Sequence, residues 1–148
     1  MSEANGIVVF DGHNDTLLDL YKPSRGGGRS FFESSDRGHL DLPRAKKGGF
    51  GGGFFAIFVP QRKKAKPGSS GSSARQIPQP VETAYARDIT EGMIDLLFKL
   101  VDEADGELKV VENNEELASS LSSGVMAAVL HFEGAEAIDP DLGLSLIH

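Results

Sequence analysis

Three short apolar runs stand out along the chain, and each ends in polar or glycine-rich sequence. The first is Ile7-Val8-Val9-Phe10, which gives way to Asp11-Gly12-His13-Asn14-Asp15. The second, Gly53-Phe54-Phe55-Ala56-Ile57-Phe58-Val59, stops at Pro60. The third, Val125-Met126-Ala127-Ala128-Val129-Leu130, runs into His131-Phe132-Glu133-Gly134. Continuous apolar character, rather than strict alternation, marks strands covered on both faces, so a parallel sheet is expected. Between the second and third runs, Tyr85, Ile89, Met93, Leu96, Leu97 and Leu100 recur at three- and four-residue spacing. That stripe predicts an amphipathic helix over 81–101. A shorter helix is expected over 114–121, with Asn113 or Asn114 as N-cap and Glu115 and Glu116 in its first turn. A third should start near Asp139-Pro140, since proline suits the first helical position. Strand and helix in alternation predict βαβ units and an α/β fold.

Two segments read as loops. Residues 25–38 are rich in glycine and serine, and residues 62–80 combine lysines, serines and prolines. The second is longer than most structureless connections and is expected to be a flexible loop. Its lysines read as a solvated loop rather than an anion site. The glycine run from Gly48 to Gly53 precedes a strand and lacks a Gly-Lys-Ser/Thr ending, so it is not a phosphate loop. Close strand packing or a flexible entry accounts for it better.

Composition narrows the function classes. The chain has 148 residues, 15 basic and 22 acidic, for a net charge of −7. That balance argues against a nucleic-acid backbone as partner. The absence of cysteine excludes disulfides, thiolate metal sites and a cysteine nucleophile, so any metal must sit on His, Asp and Glu. No apolar run approaches the roughly 20 residues of a membrane span. The N-terminus lacks the basic and apolar regions of a signal peptide, and a cytoplasmic location is expected.

The chemistry gathers at strand ends. His13 and Asp15 follow the first strand, and residues i and i+2 of an extended backbone point to one side, so imidazole and carboxylate should converge. Nitrogen and oxygen together suit a divalent cation, and the carboxyl end of a parallel strand is where α/β folds bind ligands. A His hydrogen-bonded to a neighbouring carboxylate in a turn is the competing account. His39-Leu40-Asp41 repeats the spacing without a strand behind it, so a turning and capping role is expected there. Glu133 ends the third strand on the face shared by Val125, Ala127, Val129 and His131, and a carboxylate so placed must be paired, metal-bound or solvated. His131 is read as a core histidine rather than a ligand. Asp11 is read as a hydrogen-bonding group behind His13, holding it from the side away from the metal. Asp11 and Asp15 are similar to the aspartate pair of haloacid-dehalogenase phosphatases, but they stand four apart instead of two, and that reading is rejected.

Taken together, three segments resemble the membrane (renal-type) dipeptidases, zinc peptidases of family M19. They are Asp11-Gly12-His13-Asn14-Asp15, then His39-Leu40-Asp41-Leu42-Pro43-Arg44 leading through the glycine run to Pro60, and His131-Phe132-Glu133-Gly134-Ala135-Glu136-Ala137-Ile138. The resemblance implies a (β/α)8 TIM-type barrel with parallel strands and two zinc ions at their carboxyl ends. It makes His13 and Asp15 ligands of the first zinc, and Glu133 the catalytic carboxylate bridging both. It implies hydrolysis of dipeptides by a hydroxide bridging the two metals, and it leaves a homo-oligomer open. Two further histidine ligands of that family lie on later strands without a counterpart here, and His148 is assigned no role. A complete barrel takes about 250 residues. Residues 1–148 are therefore expected to be the N-terminal portion of such a barrel, with about three β/α units, inactive alone. Two rival readings remain: another amidohydrolase-like metal hydrolase, and a small non-catalytic α/β domain that binds a ligand or partner.

Overall fold

The computed structural model describes residues 7–26, 28–61 and 80–139. Its strands are β1 (Val9–Asn14), β2 (Phe50–Ile57), β3 (Leu108–Val110) and β4 (Met126–Phe132), and its helices are α1 (Thr16–Tyr21), α2 (Pro23–Gly26), α3 (Leu42–Lys47), α4 (Thr83–Glu103) and α5 (Asn114–Ser123). The strands form one sheet in the order β1-β2-β4-β3, every neighbouring pair parallel. The fold is α/β with a parallel sheet, as expected. It has four strands where three were anticipated. β3 was missed because Leu108-Lys109-Val110 is too short and too polar at its centre to register as an apolar run. It pairs only with the first half of β4, from Met126 to Ala128.

The stripe on α4 works as the periodicity predicted. Ile89, Met93, Leu97 and Leu100 are buried, packed with Leu17 and Leu18 of α1 and with Phe55 and Ile57 of β2. Burying each of these side chains contributes about 1.5–3 kcal/mol. Gly92 lets α1 approach, since a Cβ there would lie 2.6 Å from the Tyr21 ring. α5 starts where expected: Asn113 is its N-cap, its side-chain oxygen accepting the Glu116 N–H at 2.9 Å. The Glu116 carboxylate in turn accepts the Glu112 N–H, which holds its pKa below the ordinary value. Gly124 ends α5 in the left-handed conformation, at φ 73°.

The expectation that the first strand is covered on both faces needs correction. Ile7 lies 88% exposed, and Val8, Val9 and Phe10 are also open to solvent. β1 is an edge strand, paired with β2 alone, and among the described residues nothing covers its other side. Of the glycine run, Gly48 and Gly49 form the turn after α3, whereas Gly51, Gly52 and Gly53 belong to β2, and close packing is what the strand glycines provide. A Cβ on Gly53 would sit 2.8 Å from the Asp11 Cβ, and one on Gly52 would sit 2.3 Å from the Ala127 carbonyl oxygen. β2 thus draws β1 and β4 tightly to its two edges.

Asp41 is fully buried and caps α3, accepting the Arg44 N–H at 2.9 Å, the Arg44 side chain at 2.5 Å and the Ser35 N–H at 3.2 Å. This is the capping role expected for the second His-x-Asp. Burial pushes the Asp41 carboxyl up, but these donors and the charge of Arg44 outweigh it and hold the pKa below the usual value. The flexible-loop expectation for 62–80 falls almost entirely outside the described residues, as do the third helix beyond Asp139 and His148. Among the described residues no helix is long and apolar enough to cross a membrane.

Candidate metal centre

Parallel strands share one carboxyl end, so β1 and β4, on either side of β2, bring their last residues to the same edge. His13 sits near the end of β1, and Glu133 directly follows β4. The Glu133 N–H donates to the Ile57 carbonyl at 3.2 Å, which ties the start of its loop to the end of β2. On the other side, the Asn14 side chain donates to the Phe54 carbonyl at 3.1 Å and accepts the Thr16 N–H at 3.3 Å. The turn from β1 into α1 is thereby pinned against β2.

Asp15 reaches the site by a different route from the one its spacing suggested. The pairing of β1 with β2 slips between Asp11 and Asn14. Asp15 itself lies beyond the strand, at φ −93° and ψ 22°, in the N-cap position of α1. Strand alternation therefore does not align it with His13; the turn does. Its side chain makes no capping hydrogen bond, which leaves both carboxylate oxygens for other partners.

The three side chains converge. His13 Nε2 lies 3.8 Å from Asp15 Oδ1 and 3.8 Å from Glu133 Oε2. One donor atom from each residue falls within 4.8 Å of the other two. A separation of 3.8 Å is too long for a hydrogen bond. It is close to the spacing of about 3.4 Å expected between ligand atoms at 2.0–2.2 Å around a shared tetrahedral ion. One imidazole and two carboxylates, each a little under half exposed, form a donor set that fits a borderline divalent cation. The fit is chemical as well as geometric, because the Asp15 carboxylate is not used by its helix.

The surroundings complete the picture. A cleft of about 400 Å³ opens beside the cluster, lined by Asp11, His13, Asn14, Asp15, Asp19 and His39. His131 is half-buried, its ring edge-to-face with His13 at 6.0 Å and with Phe54 at 5.9 Å. It stays outside the three-residue cluster, and it is not part of the buried core either. The Asp11 carboxylate accepts the main-chain N–H of His13 at 3.2 Å, so it braces the backbone of that residue rather than its ring. Two groups touching the site went unread in the sequence. Arg25 Nη2 lies 3.8 Å from Asp15 Oδ2, and Arg25 Nε lies 3.1 Å from Asp19 Oδ1. Arg25 sits in a segment that looked like a plain Gly/Ser loop. The only available signal was Asp19, one helical turn after Asp15.

The chain is similar to known proteins both in sequence and in fold. The family model for membrane dipeptidase, peptidase family M19, matches residues 4–146. A metallo peptidase from Rhodobacter sphaeroides, solved with a phosphinate mimic of the dipeptide L-Ala-D-Ala, is 35% identical with a TM-score of 0.79. The match covers 94% of this chain and 41% of that one. The dipeptidase AC, a metallo peptidase of family M19, is 36% identical with a TM-score of 0.78, over 94% of this chain and 40% of that one. An uncharacterized protein of the PQQ-III 3′ region in Acinetobacter calcoaceticus is 32% identical over 139 residues, or 92% of this chain and 44% of its own length. The chain therefore spans well under half the length of these relatives.

Proposed function

The chain belongs to the membrane dipeptidase family, peptidase family M19, and from that premise we propose that it forms the N-terminal part of a zinc-dependent dipeptidase. The proposal rests above all on one observation: Glu133, from a distant part of the sequence, comes to within 4.8 Å of the neighbouring pair His13 and Asp15 at one end of a parallel sheet. In this reading His13 and Asp15 hold one zinc ion, and Glu133 is the catalytic carboxylate shared between that ion and a second. Asp11 fixes the His13 backbone, so the imidazole enters the site from a set position. The four strands are the beginning of a (β/α)8 barrel. The open edge of β1, the half-paired edge of β4 and the exposed rings of Phe10 and Phe54 support that reading, because later strands would cover them.

Metal bound here would supply Lewis acidity and an activated water at neutral pH. The residues of this chain do the rest of the local work. Two carboxylates offset the charge of the ions, and β2 fixes the distance between the strands that carry them. The substrate is a dipeptide, entering from the cleft beside Asp15, where Asp11, Asp15, Asp19 and His39 set polar groups among apolar walls that include Leu40 and Phe50. Three side chains cannot complete two zinc sites when a catalytic zinc has three protein ligands of its own. Further ligands come from later strands, and residues 1–148 alone should not turn over a dipeptide.

The test is hydrolysis of a panel of dipeptides by the longer protein that carries this chain, before and after chelation. The proposal predicts turnover that chelation removes and zinc restores, and that Glu133→Gln largely abolishes. Hydrolysis indifferent to chelation, or wild-type turnover in Glu133→Gln, would overturn it. A protein that binds zinc but cleaves no dipeptide would point to the binding-module reading.

A further inference from the structure

Asp15 occupies a helix N-cap position yet makes no cap, so nothing in its own helix fixes its carboxylate. The contact that does reach it comes from α2. Arg25 Nη2 lies 3.8 Å from Asp15 Oδ2, while Oδ1, the other oxygen, faces His13. The same guanidinium is anchored on its other side by Asp19, whose side chain is only 14% exposed, at 3.1 Å. α2 itself is held hard against α1. A Cβ on Gly26 would lie 2.2 Å from the Asp19 carbonyl oxygen, so only glycine permits this approach, and the Gly26 N–H donates to the Lys22 carbonyl at 3.2 Å. Asp15, Arg25 and Asp19 thus form a line of alternating charge leading from the rim of the cluster to a partly buried anchor.

We propose that Arg25 is a positioning residue: it holds Oδ2 of Asp15 so that Oδ1 is presented to the metal. The inference rests on the reading of His13, Asp15 and Glu133 as a metal site. A planar guanidinium can face two carboxylates at once, here pairing with Asp19 through Nε and setting the charge of Nη2 beside Asp15 at 3.8 Å, a fixed geometry that a flexible ammonium does not match. Groups that orient a ligand in this way typically carry 10–100-fold of metal affinity.

Electrostatics gives this proposal a sharp test, because charge and positioning predict opposite signs. Removing a cation from beside a metal site strengthens cation binding through Coulomb's law alone. Loss of a positioning group weakens it. The experiment measures zinc affinity by competition with a chromophoric chelator for the wild type, Arg25→Gln and Arg25→Lys, with far-UV circular dichroism confirming the fold of each metal-free protein. Arg25→Gln is expected to bind zinc about tenfold more weakly, with Arg25→Lys recovering part of the loss. Zinc binding as tight as or tighter than wild type in Arg25→Gln would overturn the proposal and leave Arg25 as a surface ion pair. Should Arg25→Gln not fold, Arg25→Lys carries the test: it keeps the charge but not the fork, so unchanged affinity overturns the proposal and a severalfold loss sustains it. A wild-type protein that binds no zinc would instead bring down the metal reading itself, and this inference with it.

Discussion

Replacing Gly52 by alanine tests how the sheet sets the spacing of the site. Gly52 has φ 155°, a region that L side chains rarely adopt, and its Cβ would lie 2.3 Å from the Ala127 carbonyl oxygen and 2.9 Å from the Ala127 Cβ. The obstacle is backbone in the paired strand β4, so no side chain can rotate away. Bringing that contact to 3.0 Å requires β2 and β4 to separate by about 0.7 Å. A backbone strain of about 1–3 kcal/mol and an overpacking cost of about 1–3 kcal/mol together give a loss of about 2–6 kcal/mol. Against a typical stability of about 5–15 kcal/mol, that is a large share. Because Glu133 directly follows β4 and β1 carries His13, the separation also widens the cluster, so zinc affinity should fall together with stability. Urea denaturation followed by circular dichroism measures the first effect and chelator competition the second. Gly12→Ala in the neighbouring strand is the control, since nothing lies within 4 Å of its would-be Cβ. A loss below about 0.5 kcal/mol in Gly52→Ala, matching the usual range for a harmless surface change, would refute the reasoning.

Asp41→Asn should destabilise the protein at neutral pH, and the difference from wild type should shrink with acid. The Asp41 pKa is held low in the folded state, so its stabilisation is complete above the unfolded value of about 3.9 and is lost as pH falls through the folded value. Urea melts at neutral pH and at successively lower pH check this, and a constant gap would count against it. Asn113→Ala removes the acceptor for the Glu116 N–H and should cost about 1 kcal/mol by the same assay. No measurable change there would mean that α5 is held by packing alone.

Much of the architecture was written in apolar periodicity. The stripe on α4 and the runs in β2 and β4 each supply residues to one buried core, Met93, Phe55 and Met126 among them. The short helices α1, α2 and α3 carry too few residues to show a period, and β3 is three residues with a lysine at its centre. The exposure of β1 could not be read locally, because it depends on which strand ends the sheet rather than on the strand's own composition. In the site, His13 and Glu133 were legible from their place at strand ends. Asp15 was chosen for a reason the backbone does not honour: its carboxylate arrives through a turn that abandons strand alternation. Arg25 stayed invisible because its role depends on Gly26 allowing two short helices to touch, a tertiary fact with no local signature.

The central claim is that one ion sits among His13, Asp15 and Glu133, and locating the metal tests it most directly. Crystals of the zinc-loaded protein, with anomalous diffraction collected at the zinc edge, give its position without reference to activity. The account predicts a peak about 2.0–2.2 Å from a His13 ring nitrogen and from a carboxylate oxygen of both Asp15 and Glu133. Zinc bound elsewhere, with no peak between these three side chains, would contradict it.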